Sequence, residues 1–220
     1  MTTKNSFTTS DGLELRTRSW LPPSTPDGSV ILIHGYGDHC GRYERFAHGL
    51  NAASLAVYSY DQRGFGRSDG KRGYVGRFDN LLADLDRFIE LIGPDIQGKP
   101  VFMLGQSFGA LLTARYAQTR QPDFAGLVLC SPFLGFPDHI PKALLVLGKF
   151  IAKIAPWMPV SKVDSQGLSR RPEVVAAADA DPLSYHGSVL ARTGAEMQKA
   201  IAEVFQDVPR LSLPLYIAHG

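Results

Sequence analysis

An α/β chain with a mostly parallel sheet covered by helices on both faces is the architecture this sequence predicts, and three observations predict it. Short continuous apolar runs, Val30-Ile31-Leu32-Ile33 and Ala56-Val57-Tyr58-Ser59-Tyr60, have the pattern of strands buried on both faces. Amphipathic segments of helical length lie between such runs, so strands and helices alternate as in consecutive βαβ units. The alternation holds until Ser131-Pro132 and then breaks for a long interval, which points to an inserted helical cap.

Residues 14–20 alternate in polarity, and the run Pro22-Pro23-Ser24-Thr25-Pro26-Asp27-Gly28 is a turn signal, so the opening is expected to form an edge hairpin. The strand at 30–33 is followed by an amphipathic helix over 43–51 and the strand at 56–60. A helix over 78–92 follows, ended by Gly93-Pro94, then a strand over 101–104, a helix over 110–119 and a strand over 126–130. The next strand is Leu215-Tyr216-Ile217-Ala218. Residues 1–132 are therefore expected to form the N-terminal part of the core, 133–210 the cap, and 211–220 the start of the C-terminal part. In such sheets function gathers at the carboxyl ends of the strands.

Within the cap, Lys142, Lys149 and Lys153 fall on one stripe of a helix whose remaining circumference carries Leu144, Leu145, Val146, Leu147, Phe150, Ile151 and Ile154. The first expectation for that apolar face is packing on the core. The second is a lid that faces substrate or makes weak contact with a membrane surface.

The 220 residues hold 23 basic and 21 acidic side chains, a formal charge of +2. No strong field is available to hold nucleic acid, and the densest basic pair, Lys71-Arg72, has the look of a solvated loop. Cys40 and Cys130 match neither a disulfide framework nor a metal site. Residues 1–10 are polar without the apolar stretch of a secretory signal, and no run reaches the ~18 apolar residues of a membrane span, so a cytoplasmic location is expected. No cofactor is implied: the loop His34-Gly35-Tyr36-Gly37 lacks the spacing and the lysine of a phosphate loop, and no Cys/His cluster has metal-ligand spacing.

The chemistry centres on Gly105-Gln106-Ser107-Phe108-Gly109, a G-x-S-x-G stretch between a strand and a helix. A serine hydroxyl is a weak nucleophile near neutral pH, so it must be presented on a sharp turn, deprotonated by a base and faced by donors for the oxyanion that forms. Ser107 meets the first demand. The donors for the second are expected to be the backbone N–H groups of Phe108, next after the nucleophile, and Tyr36, in the loop that follows the strand at 30–33. His34 is expected to anchor that loop rather than act as a base.

Three stretches resemble one family closely: His34-Gly35-Tyr36-Gly37-Asp38-His39-Cys40-Gly41-Arg42-Tyr43, Asp61-Gln62-Arg63-Gly64-Phe65-Gly66-Arg67-Ser68-Asp69-Gly70, and the Ser107 elbow. They resemble the monoacylglycerol lipase and lysophospholipase branch of the α/β-hydrolases, grouped with serine aminopeptidase S33-type hydrolases, and the likeness runs from about Leu15 to the last residue. The resemblance implies an α/β-hydrolase fold, Ser107 as nucleophile, the N–H groups of Tyr36 and Phe108 as oxyanion donors, and a bracing role for the loop at 61–70. Asp181-Pro182-Leu183 resembles the segment that closes the family's cap, and Ala110 stands where a further glycine is common.

The same resemblance places the triad aspartate shortly after the strand at 215–218 and the triad histidine after one more strand, so neither is present in this chain and roughly 60 residues are expected to be absent. Of the groups that are present, Asp138 is better explained as part of a Pro-flanked cap entrance. His39, His48, His139 and His186 have no argument for reaching Ser107, and His219 ends a strand at the active edge where the family's His-Gly looks structural. Three functions stay open. The first is a serine carboxylic-ester hydrolase on a lipid-like small molecule. The second is a peptidase or amidase, for which an acidic cap cluster among Asp164, Glu173, Asp179 and Asp181 would be the sign. The third is a non-catalytic binding protein or inactive fragment that keeps the pocket without the triad. Acyl-chain length, leaving group and oligomeric state are not written in the pattern.

Overall fold

The continuous apolar runs occupy the middle of the sheet, where both faces are covered. A computed structural model describes residues 5–136, 141–162 and 169–219. Seven strands, β1 (Ser6–Thr8), β2 (Glu14–Trp20), β3 (Gly28–Ile33), β4 (Leu55–Tyr60), β5 (Val101–Gln106), β6 (Gly126–Cys130) and, after a two-stranded ribbon of β7 (Pro159–Lys162) and β8 (Ser188–Leu190), β9 (Leu215–Ala218), form one sheet. Its order is β1-β2-β4-β3-β5-β6-β9, and all pairs from β4 to β9 are parallel. β1 and β2 add two antiparallel strands at one edge.

Strand alternation explains why these runs are continuous rather than amphipathic. Ile31 and Ile33 of β3, with Tyr58, Tyr60, Met103, Leu127 and Leu129 of its neighbours, point into one core. Val30, Leu32, Val57 and Leu104 point into a second core on the opposite face. Helices α2 (Phe78–Ile96), α3 (Phe108–Arg120) and α6 (Ala191–Gln206) cover the first face through Leu81, Leu85, Phe88, Leu111, Met197 and Ala200. Helix α1 (Glu44–Ala52), entered by a 3-10 turn at Cys40–Tyr43, covers the second with Ala47. Each fully buried Leu, Ile or Phe contributes about 1.5–3 kcal/mol by leaving water.

Several expectations are corrected in detail. The opening forms a hairpin of β1 with β2, but the Pro-rich run after Trp20 is a crossover, because β4 lies between β2 and β3. Helix α2 continues through Gly93-Pro94 to Ile96. A proline ring already has a helical φ and removes only one N–H donor, so a final turn tolerates it when the preceding residue is as open as Gly93. Helix α3 starts two residues earlier than the pattern indicated, directly at Phe108.

Between β6 and β9 the described residues hold α4 (Lys142–Ile154), β7, α5 (Pro172–Asp179), β8, α6 and a short 3-10 turn at Val208–Arg210. The apolar face of α4 does not pack on the core: Leu144, Val146, Leu147, Phe150 and Ile154 are all more than half exposed. Only a narrow strip reaches α6. Ala152 is buried there, and Gln198 donates from Nε2 to the Leu145 carbonyl at 3.3 Å. Helix α6 is the reverse case, since Met197, Ala200 and Val204 belong to the main core. No helix among the described residues is long and apolar enough to cross a membrane.

Candidate active site

Ser107 stands between the last residue of β5 and the first of α3, with φ 52° and ψ −114°. A serine in this region costs of order 1–3 kcal/mol and persists only where its surroundings over-determine it. They do so here. Its N–H donates to the Cys130 carbonyl at 2.9 Å, and its own carbonyl accepts from the N–H groups of Ala110 (3.0 Å), Leu111 (3.2 Å) and Phe133 (3.1 Å).

The flanking glycines are required by close approach. A Cβ on Gly105 would strike the Gly109 carbonyl, the Ala110 Cα and the Thr113 hydroxyl, and one on Gly109 would strike the carbonyls of Ile33 and His34. Helix α3 thereby seats its N-terminus against the end of β3, bringing the positive end of its dipole to Ser107.

The loop after β3 lies against the same turn, since a Cβ on Gly35 would fall 3.5 Å from Ser107 Cβ. Among the described residues, neither the Tyr36 nor the Phe108 N–H is given to a backbone or side-chain acceptor. Phe108, as the first residue of α3, has no intrahelical acceptor by helix geometry. The Tyr36 and Phe108 rings meet edge to face with centroids 6.0 Å apart, so the loop after β3 and the start of α3 are packed together.

Tyr36 is held on every side. Its hydroxyl donates to the Gly73 carbonyl at 2.8 Å, and its ring meets Phe65 at 5.1 Å and Tyr185 at 6.0 Å as well as Phe108. Such edge-to-face pairs add about 0.5–1.5 kcal/mol each beyond area burial. Burial, with Tyr185 adding to it, pushes the Tyr36 phenol well up, so it remains a protonated donor.

His34 is fully buried, and both of its ring nitrogens are engaged by backbone groups. Nδ1 lies 2.8 Å from the Gly35 carbonyl and Nε2 accepts the Gln62 N–H at 2.9 Å, which assigns the proton to Nδ1. Burial lowers its pKa and keeps it neutral. Gln62 adds a bond from Nε2 to the His34 carbonyl at 2.6 Å. His34 is thus an anchor that ties the loop after β3 to the loop after β4, and it has no lone pair free for Ser107.

The loop at 61–70 braces the same region. The Asp61 carboxylate accepts the N–H groups of Cys40 at 2.8 Å and Arg67 at 2.9 Å, and Arg63 pairs with Asp84 at 2.6 Å while also reaching Asp11.

The remaining sequence candidates fall elsewhere. His39 pairs through Nε2 with Asp181 at 2.8 Å, His48 lies 3.7 Å from Glu44 on α1, and His186 Nε2 is 3.0 Å from the Asp181 carbonyl. His219 follows β9, two strand spacings or roughly 10 Å from the backbone of β5. Asp138, His139 and Asp164 lie outside the described residues. Glu173 pairs with Arg171 at 2.7 Å and Asp181 with His39 at 2.8 Å, while Asp179 is exposed at the end of α5.

Sequence reasoning passed over Tyr185, whose ring meets Tyr36 and Phe65. Its nearest signal is its place two residues after Asp181-Pro182-Leu183.

Comparisons with known proteins bear on the family and the fold. The family model described as serine aminopeptidase, S33, matches residues 24–220. A monoacylglycerol lipase of Mycolicibacterium smegmatis is 33% identical over 99% of this chain and 78% of its own length. A monoglyceride lipase of Mus musculus is 33% identical over 96% of this chain and 70% of its own. The crystal structure of a Paleococcus ferrophilus monoacylglycerol lipase superposes with a TM-score of 0.83 at 31% identity, covering 94% of this chain and 77% of that one. With this sheet order, this serine turn and these matches, the chain belongs to the serine aminopeptidase S33 family of α/β-hydrolases.

Proposed function

We propose that this chain carries the nucleophile of a serine carboxylic-ester hydrolase that acts on a lipid-like monoester through an acyl-enzyme on Ser107. The observation that carries the reading is the strained Ser107 turn, φ 52°, packed against the loop that holds Tyr36, with the N–H groups of Tyr36 and Phe108 given to no acceptor among the described residues. Ser107 Oγ attacks the acyl carbon, its proton passes to a base, and the tetrahedral oxyanion is held by those amides. The alcohol then leaves with that proton, and water releases the acid by the reverse sequence. In this reading the base and its aspartate partner lie after β9, as the family resemblance implies.

Esters are favoured over amides because two of the acidic groups that could hold a substrate amine, Glu173 and Asp181, are paired with Arg171 and His39. The exposed apolar side chains of α4 support a lipid-like substrate and weak contact with a lipid surface. Relatives named as monoacylglycerol or monoglyceride lipases support the same substrate class.

The test is covalent labelling of the full-length protein by a fluorophosphonate probe, with the site located by peptide mass mapping. Modification at Ser107 that disappears in Ser107→Ala, together with release of fatty acid from a monoacylglycerol, is expected. An unlabelled Ser107 sinks the mechanism, and turnover of aminoacyl anilides without turnover of acyl esters reverses the choice of substrate.

A further inference from the structure

Tyr36 and its loop are gripped from the core side by His34, Gln62 and Phe108, but the structure also shows a second grip, from a segment more than 140 residues further along the chain. Three contacts fasten that segment. Asp181 pairs with His39 at 2.8 Å, the Leu183 carbonyl accepts Arg72 Nη2 at 2.9 Å, and the Tyr185 N–H donates to the Gly37 carbonyl at 2.7 Å. The Tyr185 ring then closes over Tyr36 at 6.0 Å and Phe65 at 6.3 Å, with its hydroxyl on the Ser188 carbonyl at 2.8 Å.

The space for this ring is made by two glycines, since a Cβ on either Gly73 or Gly187 would run into its far edge. Gly73 has φ +67° and its carbonyl is the acceptor of the Tyr36 hydroxyl and, at 3.1 Å, of Thr193 on α6. Ring, glycine carbonyl and Tyr36 therefore form one packed unit, with the Tyr185 ring on the side of Tyr36 that faces the 181–185 segment.

We propose that Tyr185 is a positioning residue for the oxyanion site: its ring, carried by the segment 181–185, fixes the Tyr36 loop and so sets the direction of the Tyr36 N–H. The inference rests on the ester-hydrolase reading for its catalytic consequence, though not for the grip itself. It also makes the placement of the 181–185 segment a condition for a formed oxyanion site, which couples the insertion between β6 and β9 to the turnover step rather than only to substrate access.

The test compares Tyr185→Ala, Tyr185→Leu and Tyr185→Phe in the full-length protein, with active sites counted by fluorophosphonate. Hydrogen–deuterium exchange of the segment 34–40 is expected to rise in the Ala and Leu variants and to stay at the parent level in the Phe variant. With a short-chain ester, kcat per titrated site is expected to fall about tenfold or more in Ala and Leu while KM moves less than about threefold, and Phe is expected to restore kcat to within about twofold. Leu keeps bulk and apolarity, so it covers the case in which Ala does not fold. Unchanged exchange at 34–40 in the Ala or Leu variant overturns the proposal, as does a Phe variant that loses as much kcat as they do. If exchange responds as expected while the parent protein neither labels nor turns over esters, the grip stands and the ester-hydrolase reading fails.

Discussion

Replacing Gly109 by alanine tests the closest approach in the candidate site. The added methyl would meet the carbonyl oxygens of Ile33 and His34 far inside van der Waals contact. Neither oxygen can swing away freely. Ile33 lies in the parallel ladder opposite Gly105, and the His34 carbonyl accepts Gln62 Nε2 at 2.6 Å. Relief requires the start of α3 and the end of β3 to separate by on the order of 1 Å, the scale at which overpacking costs about 1–3 kcal/mol. For a domain of this size that lowers Tm by about 2–12 °C. The same movement pulls the Phe108 amide away from the Tyr36 amide, and misplacement of this size costs up to about 10²-fold in kcat. Thermal unfolding and active-site-titrated ester turnover measure the two effects. Gly148→Ala is the internal control: that glycine is mid-helix with open space around it, so the same methyl is expected to stabilise by about 0.4–1 kcal/mol. A Gly109→Ala protein that melts within about 1 °C of the parent and keeps kcat within threefold refutes the close-packing argument.

Arg63→Met leaves the Asp84 carboxylate, 1% exposed, without its partner, and removing one member of a buried pair costs about 3–5 kcal/mol, or about 6–20 °C in Tm by calorimetry. Asp11, whose carboxyl is lowered to about 2 chiefly by its hydrogen bonds to Arg63, contributes stability that is complete above the ordinary carboxylate pKa near 4 and is lost as pH falls toward 2. Asp11→Asn is accordingly expected to flatten the fall in Tm over that window, and an unchanged acid slope counts against the assignment. His34 is kept neutral by burial, so the unfolded chain binds a proton there that the folded chain refuses, and stability should decline as pH drops below about 6.5. His34→Gln is expected to remove part of that slope while lowering Tm at pH 8, and equal slopes in the two proteins contradict a neutral, buried His34.

Much of the sheet was legible because burial on both faces writes an unbroken apolar run, as in β3 and β4, and a helix packed on one side writes a spaced pattern, as in α2. Ser107 was legible for a different reason. A serine forced to positive φ between a strand and a helix needs glycines where backbones nearly touch, so Gly105 and Gly109 carry the geometry in their identity. The loop at 34–37 was expected beside the Ser107 turn from its place after an early strand, and both ring nitrogens of His34 are engaged in holding that loop.

The sequence by itself determined which segments are buried and where the chain turns sharply, because local spacing reports solvent exclusion and backbone conformation. It did not determine what each segment is buried against. The apolar side chains of α4 have the same spacing whether they meet a core or solvent, and only the fold shows that α6 reaches a narrow strip and leaves the rest exposed. The position of β4 between β2 and β3, the pairing of His39 with Asp181 and the closing of Tyr185 over Tyr36 were likewise decided by tertiary structure. Contacts between loops distant in the chain have no period, and their energy depends on a juxtaposition that exists only once the sheet has assembled.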